Sequence, residues 1–280
     1  MAARNRIITA LIIGVMIITG RAGWCDDKLT IAVSHPWLVL LVSFIGGTEV
    51  NVIPVRVWNA NGDLVIADRG KILRELEDGT KIIALDVDDA KSAGVIGTRK
   101  NFAVRCLYSP FPLSINALPD PSVMPFVAQR VLTALSEWDA GNYPNYQRRL
   151  AEFQARMSSS VLVGQVLKDS TVCDMSGASG VMLQAAGCRL IRPEELEQWG
   201  KGNFAGLREY LDNNKAQGIT TMIDDDTPAV LKRYLSGRSD VFRWERPPLD
   251  RDYPTFLQEQ YISLWQKIVT KPLPGMNKRH

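Results

Sequence analysis

The feature that most constrains this chain is an alternation of strand and helix patterns that occurs twice, once on either side of a helical middle. In the first half, "LTIAV" is a short apolar run rich in β-branched residues. "PWLVLLVSFIGG" then carries Trp37, Leu40, Leu41 and Phe44 at helical spacing before Gly46-Gly47, and "VNVIPVRVW" alternates around Pro54. These patterns predict strand, helix and strand. "GKILRELEDG" and "KIIALDVDD" repeat the unit, with Gly79 closing the helix, and "FAVRCL" supplies a further strand. The second half reads "STVCDM" strand, "GASGVMLQAAG" helix, "CRLI" strand, "FAGLREYLDNNKAQG" helix and "ITTMI" strand. After these come "TPAVLKRYLSG" as a helix capped by Thr227, "DVFRW" as a strand and a terminal helix with Leu257, Tyr261, Leu264 and Ile268 facing in.

The middle has a different period. Asp120-Pro121 reads as a helix start, with Asp as N-cap and Pro at the first helical position. Val127, Val131, Leu135 and Trp138 then recur at the spacing of one buried helix face. After the turn "DAGNYP", a second helix from near Asn145 places Tyr146, Leu150, Phe153 and Met157 on one stripe, with "QRRLAEFQAR" densely charged on the other side. The expected architecture is α/β: two lobes, each a mostly parallel sheet with flanking helices, joined by a long linking helix. In such sheets ligands bind at the carboxyl ends of the strands. The expected boundaries are a signal peptide at 1–25, an N-terminal lobe at 26–140, the linking helix at 141–160 and a C-terminal lobe at 161–280.

The leader assignment rests on Arg4 and Arg6 preceding the uncharged run Ile7 to Gly20 and then "RAGWC", the order of a secretory signal. That run falls short of the roughly 20 apolar residues a spanning helix needs, which disfavours an uncleaved anchor. Lipidation at Cys25 is disfavoured because the preceding Trp24 is large. The chain has 33 basic and 30 acidic residues, and removing the leader with Arg4, Arg6 and Arg21 leaves the remainder formally neutral. No long basic cluster remains, so there is no nucleic-acid footprint. Export permits disulfides, yet Cys106, Cys173 and Cys188 are odd in number and stand at scattered spacings. Cys173 and Cys188 are expected at opposite ends of a strand and helix unit, too far apart to bridge.

Enzymatic readings lack their parts. Of two histidines, one is the terminal His280, so His35 in "VSHPW" is the only internal imidazole able to serve a Ser-His or Cys-His mechanism. "SGASG" does not complete the G-x-S-x-G of a nucleophile elbow, since Gly177 precedes Ser179 but Val181 stands where the second glycine is required, and neither GxxxxGK[ST] nor GxGxxG occurs.

An exported chain with two α/β lobes joined by a helix resembles the zinc and manganese solute receptors of ABC importers. "FIGGTEVNVIPV" looks like that family's segment after its first helix. "LPDP" with "LSEWDAGNYPNYQRRLAEFQARM" resembles its linking region, and "GITTMIDDDTPAVLKRY" is similar to its late strand, acidic turn and helix. The resemblance implies an extracytoplasmic receptor, expected to be monomeric, that delivers a small solute or metal ion to membrane permease subunits, with a divalent metal ion as its expected ligand. Those receptors hold their ion with three histidines and a carboxylate. Here the matching turn after the second strand is "WNANGD", with Asn59, Asn61 and Asp63. The position four residues before Asp120 is Asn116, the next turn offers Cys173 or Asp174, and the last loop offers Glu245. No family histidine is retained.

The candidate ligand-binding residues are therefore His35, Asn59, Asn116 and Asp174, with His35, Cys173 and Asp174 as the metal candidates. Each has a plainer reading: a hydrogen-bonded turn histidine, polar turn amides, a buried thiol and a helix-capping acid. Asp120 reads as a cap, Asp224 to Asp226 as a solvated turn with Asp226 or Thr227 capping a helix, and Trp58 and Trp244 as core or rim aromatics or a stacking wall. An unorthodox soft-metal set of His35, Cys106, Cys173 and Asp174 has no recognised spacing. Asn is a poor zinc ligand, so a degenerate metal site is expected, with oxygen-rich groups that suit a hard cation or a polar organic solute. The alternative is a non-transporting periplasmic interaction or accessory protein on the same fold.

Overall fold

A computed structural model describes residues 28–108 and 113–270. The leader, Cys25 and His280 lie outside the described residues. Strand β1 (Leu29–Val33) leads into helix α1 (Pro36–Gly46) and strand β2 (Val50–Pro54), giving the predicted strand, helix and strand. The apolar run "WLVLL" is buried on every side, so α1 is a core helix rather than an amphipathic one. The second part of "VNVIPVRVW" leaves the sheet. Pro54 ends β2, and β3 (Arg56–Trp58) turns back as an antiparallel hairpin with β4 (Leu64–Ile66). Helix α2 (Lys71–Glu75) stops before the predicted Gly79, which instead takes a left-handed turn at φ 79°. Strand β5 (Lys81–Ala84), helix α3 (Val87–Ser92) and strand β6 (Ala103–Cys106) complete a four-stranded parallel sheet in the order β2-β1-β5-β6.

Asp120 does not cap the next helix. Its carboxylate accepts from the Ser122 N–H at 2.8 Å in a turn, and helix α4 (Met124–Trp138) starts later with Pro125 in its first turn. Helix α5 (Tyr143–Gly164) follows, with Pro144 at its start and Tyr146, Leu150, Phe153 and Met157 buried as the stripe predicted. The second sheet has the parallel order β10-β9-β7-β8. It is built from β7 (Thr171–Asp174), β8 (Arg189–Ile191), β9 (Thr220–Ile223) and β10 (Val241–Arg243), connected through α6 (Gly180–Ala185), α7 (Leu196–Gly200), α8 (Leu207–Ala216) and α9 (Ala229–Leu235). Helix α10 (Tyr253–Val269) closes the chain, capped by the Asp252 carboxylate, which accepts from Thr255 N–H at 3.0 Å.

Helix α5 packs against α1, α4 and α10. Its stripe therefore joins the inner faces of both sheets into one apolar core that runs from Ile31 and Leu41 through Phe153 to Trp244 and Tyr261. Polar bonds repeat the join: the Arg149 side chain donates to Phe44 O at 2.6 Å, and the Tyr253 hydroxyl, carried on α10, donates to Pro119 O at 2.6 Å. Beneath the carboxyl ends of the first sheet a buried ion pair links Arg56 to Asp89, and Asp89 also accepts from Ser34 and from Leu85 N–H. Cys106, Cys173 and Cys188 are free thiols, and no described helix is long and apolar enough to cross a membrane.

Close approach of α5 to α10 depends on Gly164. A Cβ there would meet Tyr261 Cε2 at 2.8 Å, and that ring is buried and held by its hydroxyl donating to Met182 O at 2.7 Å. Gly164→Val is expected to cost about 1–3 kcal/mol by overpacking, measured by urea unfolding. Gly141→Ala, where only the Asp139 carboxylate comes within 4 Å, serves as the control.

Candidate functional site

The carboxyl ends of the two sheets face one another across a cleft of about 1050 Å³. One wall carries His35, Trp37, Trp58, the hairpin loop around Gly62 and Asn116. The other carries Ser179, the Asp224 to Asp226 turn, Lys232, Arg243, Glu245 and Arg246. The loops in which the resemblance places ligands thus contribute to one crevice: the "WNANGD" turn, Asn116, the turn after β7 and the "RWERPPLD" loop.

His35 reaches the cleft wall, and its side chain is already in use. It stands in extended backbone as the N-cap of α1, and its Nδ1 accepts from the Trp37 N–H at 3.3 Å. A neutral imidazole that accepts at Nδ1 carries its proton on Nε2, so the cleft is offered a donor and not a metal-ligating lone pair. Burial, with the charges of Arg56 and Arg246 beside it, pushes the His35 pKa down to about 3. Asn59 is consumed by its own loop: its Oδ1 accepts from Asn61 N–H and Asp63 N–H at 2.8 and 2.9 Å, and its amide donates to the Asp63 carboxylate. Asn116 lines the cleft and is exposed.

The second-lobe candidates point elsewhere. Cys173 packs in the core of its lobe beside the Tyr210 hydroxyl at 3.7 Å, and burial pushes its thiol up to about 11. Asp174 is buried beneath the turn, paired with Arg192 at 2.8 Å and accepting from Ser176 N–H. Neither is among the residues that line the cleft with His35. Among the described residues no three His, Cys, Asp or Glu side chains form a cluster able to hold a metal ion. The residues present do not fit a zinc or manganese centre of the histidine type, because the described imidazole is capped and neutral and Asp174, Asp224, Asp225 and Asp226 are bonded within the protein.

The acidic turn is not the solvated loop its sequence suggests. Asp224 is 2% exposed and accepts from the backbone N–H of Gly177, Ala178, Ser179, Asp226 and Thr227 at 2.9–3.1 Å, and from the Ser179 hydroxyl. Burial alone would raise its carboxyl pKa, but those donors outweigh burial and hold it below the ordinary value. Thr227 does not cap α9; its hydroxyl accepts from Asp224 N–H at 2.9 Å. Asp225 pairs with Arg243 at 2.5 Å and with Arg246 at 4.0 Å, while Asp226 pairs with Arg246. Arg246 also donates to Gly62 O and lies 5.3 Å from the centroid of the Trp58 ring, which itself meets Trp37 edge-on at 5.2 Å. Trp244 is core, packed on Tyr261.

No protein-family model matches the sequence, and no curated protein does. Solved structures match the fold. ZnuA superposes with a TM-score of 0.62 at 15% identity, covering 86% of this chain and 99% of that one. FpvC of Pseudomonas aeruginosa in complex with Ni²⁺ gives 0.60 at 16% identity, with 86% and 97% covered. The laminin binding protein of Streptococcus agalactiae, a bifunctional protein with adhesin and metal transporting activity, gives 0.61 at 11% identity, with 86% and 99% covered. The chain has the fold of two-lobed metal-ion receptors.

The lowered His35 value has a sign that can be measured. Between its ordinary value of 6.5 and about 3, the unfolded chain binds a proton on this imidazole that the folded chain does not. Stability therefore falls on acidification through that window, at up to about 1.4 kcal/mol per pH unit from this group. His35→Asn keeps an N-cap acceptor and removes the titration. The variant is expected to show a flatter urea midpoint between pH 6.5 and pH 4 than the unaltered protein. Parallel profiles would show that His35 titrates normally.

Proposed function

We propose that this chain is the extracytoplasmic solute-binding component of an ABC importer, working with permease subunits in the membrane, and that its metal site is degenerate. In this reading it binds its cargo and does not transform it, as a receptor does. The reading rests on one observation above the others: a cleft at the carboxyl ends of two parallel sheets, joined by a rigid helix, whose walls come from the loops that carry ligands in the family it resembles. The α5 packing leaves room for small lobe and loop shifts only.

The cargo in this reading is a polar organic solute and not a bare ion. A volume of about 1050 Å³ lies at the upper end of small-molecule pockets. Its lining includes Trp37 and Trp58 beside His35, the Asn116 amide and the Glu245 carboxylate. The accessory-protein reading on the same fold is favoured by a single feature, the side-chain bonds that already cross the cleft from Arg246 and Lys232.

Native mass spectrometry with metal analysis, on protein recovered from its own periplasm, tests the assignment. The expected result is an organic adduct without stoichiometric metal, whereas one bound zinc per chain would refute the organic-cargo reading. In calorimetry, Zn²⁺ is expected to give no tight one-to-one complex. A tight complex abolished by His35→Ala would restore a histidine-based metal site.

A further inference from the structure

Arg246 is placed where an external ligand would be expected. It belongs to the second lobe, in the loop before α10, yet its guanidinium touches the first lobe on two sides. It lies over the Trp58 ring at 5.3 Å and donates to the Gly62 carbonyl, while its own lobe supplies the Asp226 and Asp225 carboxylates. An aromatic face, a carbonyl and a pair of carboxylates are the partners that select a planar, delocalised cation over a compact one. The side chain is 17% exposed, so the contact is largely withdrawn from water.

The surrounding backbone is shaped for this contact. A Cβ on Gly62 would meet Asp225 Cβ at 2.6 Å, and one on Gly177 would meet Asp226 Cβ at 2.4 Å. The acidic turn is therefore pressed between the hairpin loop of one lobe and the first turn after β7 of the other. Lys232 adds a weaker tie, donating to Asp225 O at 2.8 Å and reaching Asn61 O at 3.5 Å.

We propose that Trp58, the Gly62 carbonyl, Asp225 and Asp226 form a guanidinium-binding site across the cleft, and that Arg246 is the tethered ligand that fills it and holds the two walls together. The site is complete without any diffusible ion. It is also specific in kind: a guanidinium bonds the Asp226 carboxylate and the Gly62 carbonyl at once, with Asp225 4.0 Å away, while lying over the ring, whereas an ammonium ion presents no flat face.

Chemical rescue tests this on the full mature chain. Arg246→Ala empties the site and is expected to melt at least about 3 °C lower than the unaltered protein. Millimolar methylguanidinium is expected to restore most of that loss with saturation. Sodium chloride at matched ionic strength and methylammonium are expected not to, and the unaltered protein, its site filled, should not respond. Rescue that disappears in Arg246→Ala combined with Asp226→Asn would locate the binding. Absence of saturable rescue, or equal rescue by sodium chloride or methylammonium, would overturn the proposal. Should Arg246→Ala fail to fold, Arg246→Lys keeps the charge without the planar fork. It is expected to melt below the unaltered protein, and equal stability would overturn the proposal. None of these results depends on the cargo, so the receptor assignment stands or falls on the mass measurement alone.

Discussion

The buried stripe of α5 is the constraint on which the rest of the molecule depends. Tyr146, Leu150, Phe153 and Met157 face α1 and α4 on one side and, with Gly164, α10 on the other. Because those helices each cover one sheet, the two sheets share a core and cannot rotate freely about a hinge. Separating them would expose aromatic and aliphatic surface worth roughly 25 cal/mol for each Å². The cleft is thus an opening left between two fixed strand ends, and its dimensions follow from helix packing. Side chains on its walls set its chemistry without altering its shape.

That division explains how fold and site can diverge. The likeness to solved metal-ion receptors extends over most of the chain at 11–16% identity, a level at which apolar periodicity survives and individual ligands need not. The buried Arg56 and Asp89 pair under the His35 turn shows the local consequence. Arg56 fixes the β1 to α1 corner by donating to Ser34 O at 2.8 Å, and its charge discourages protonation of the neighbouring imidazole. A histidine at that corner is rigid, neutral and turned to capping.

Sequence periodicity made most of the elements legible, because each is held by an apolar stripe with a definite period. The splitting of "VNVIPVRVW" was not legible, since Pro54 is compatible with an edge strand and the hairpin after it depends on packing against the cleft. Asp120 and Thr227 read as caps because both precede proline or a helix, yet their oxygens found nearer partners in turns. The burial of Asp224 within the "DDD" turn is not legible, because a run of acids reads as solvated unless donors converge on it. Here three backbone N–H groups from the turn after β7 converge on it, with two more from the turn itself and two arginines from the end of β10 and the loop after it. Arg246 carried no motif at all. The one signal available was composition, "RWERPP" placing two cations beside an acid in the loop expected to reach the crevice.

The charges explain why the acidic turn offers no open site to a diffusible cation. A carboxylate can ligate a divalent ion only if its lone pairs are free, and those of the Asp224 to Asp226 turn are assigned. Asp224 is surrounded by N–H donors, while Asp225 and Asp226 are matched to guanidinium groups. A metal ion entering here would have to remove charge-assisted bonds from a partly dehydrated site before forming its own. The cations that balance these acids are covalently attached and lose no translational freedom on binding, whereas a free ion does. A tethered guanidinium therefore keeps the electrostatic reason for the walls to meet without an exchangeable ion, and a solute in this cleft would meet only the groups its arginines leave unpaired.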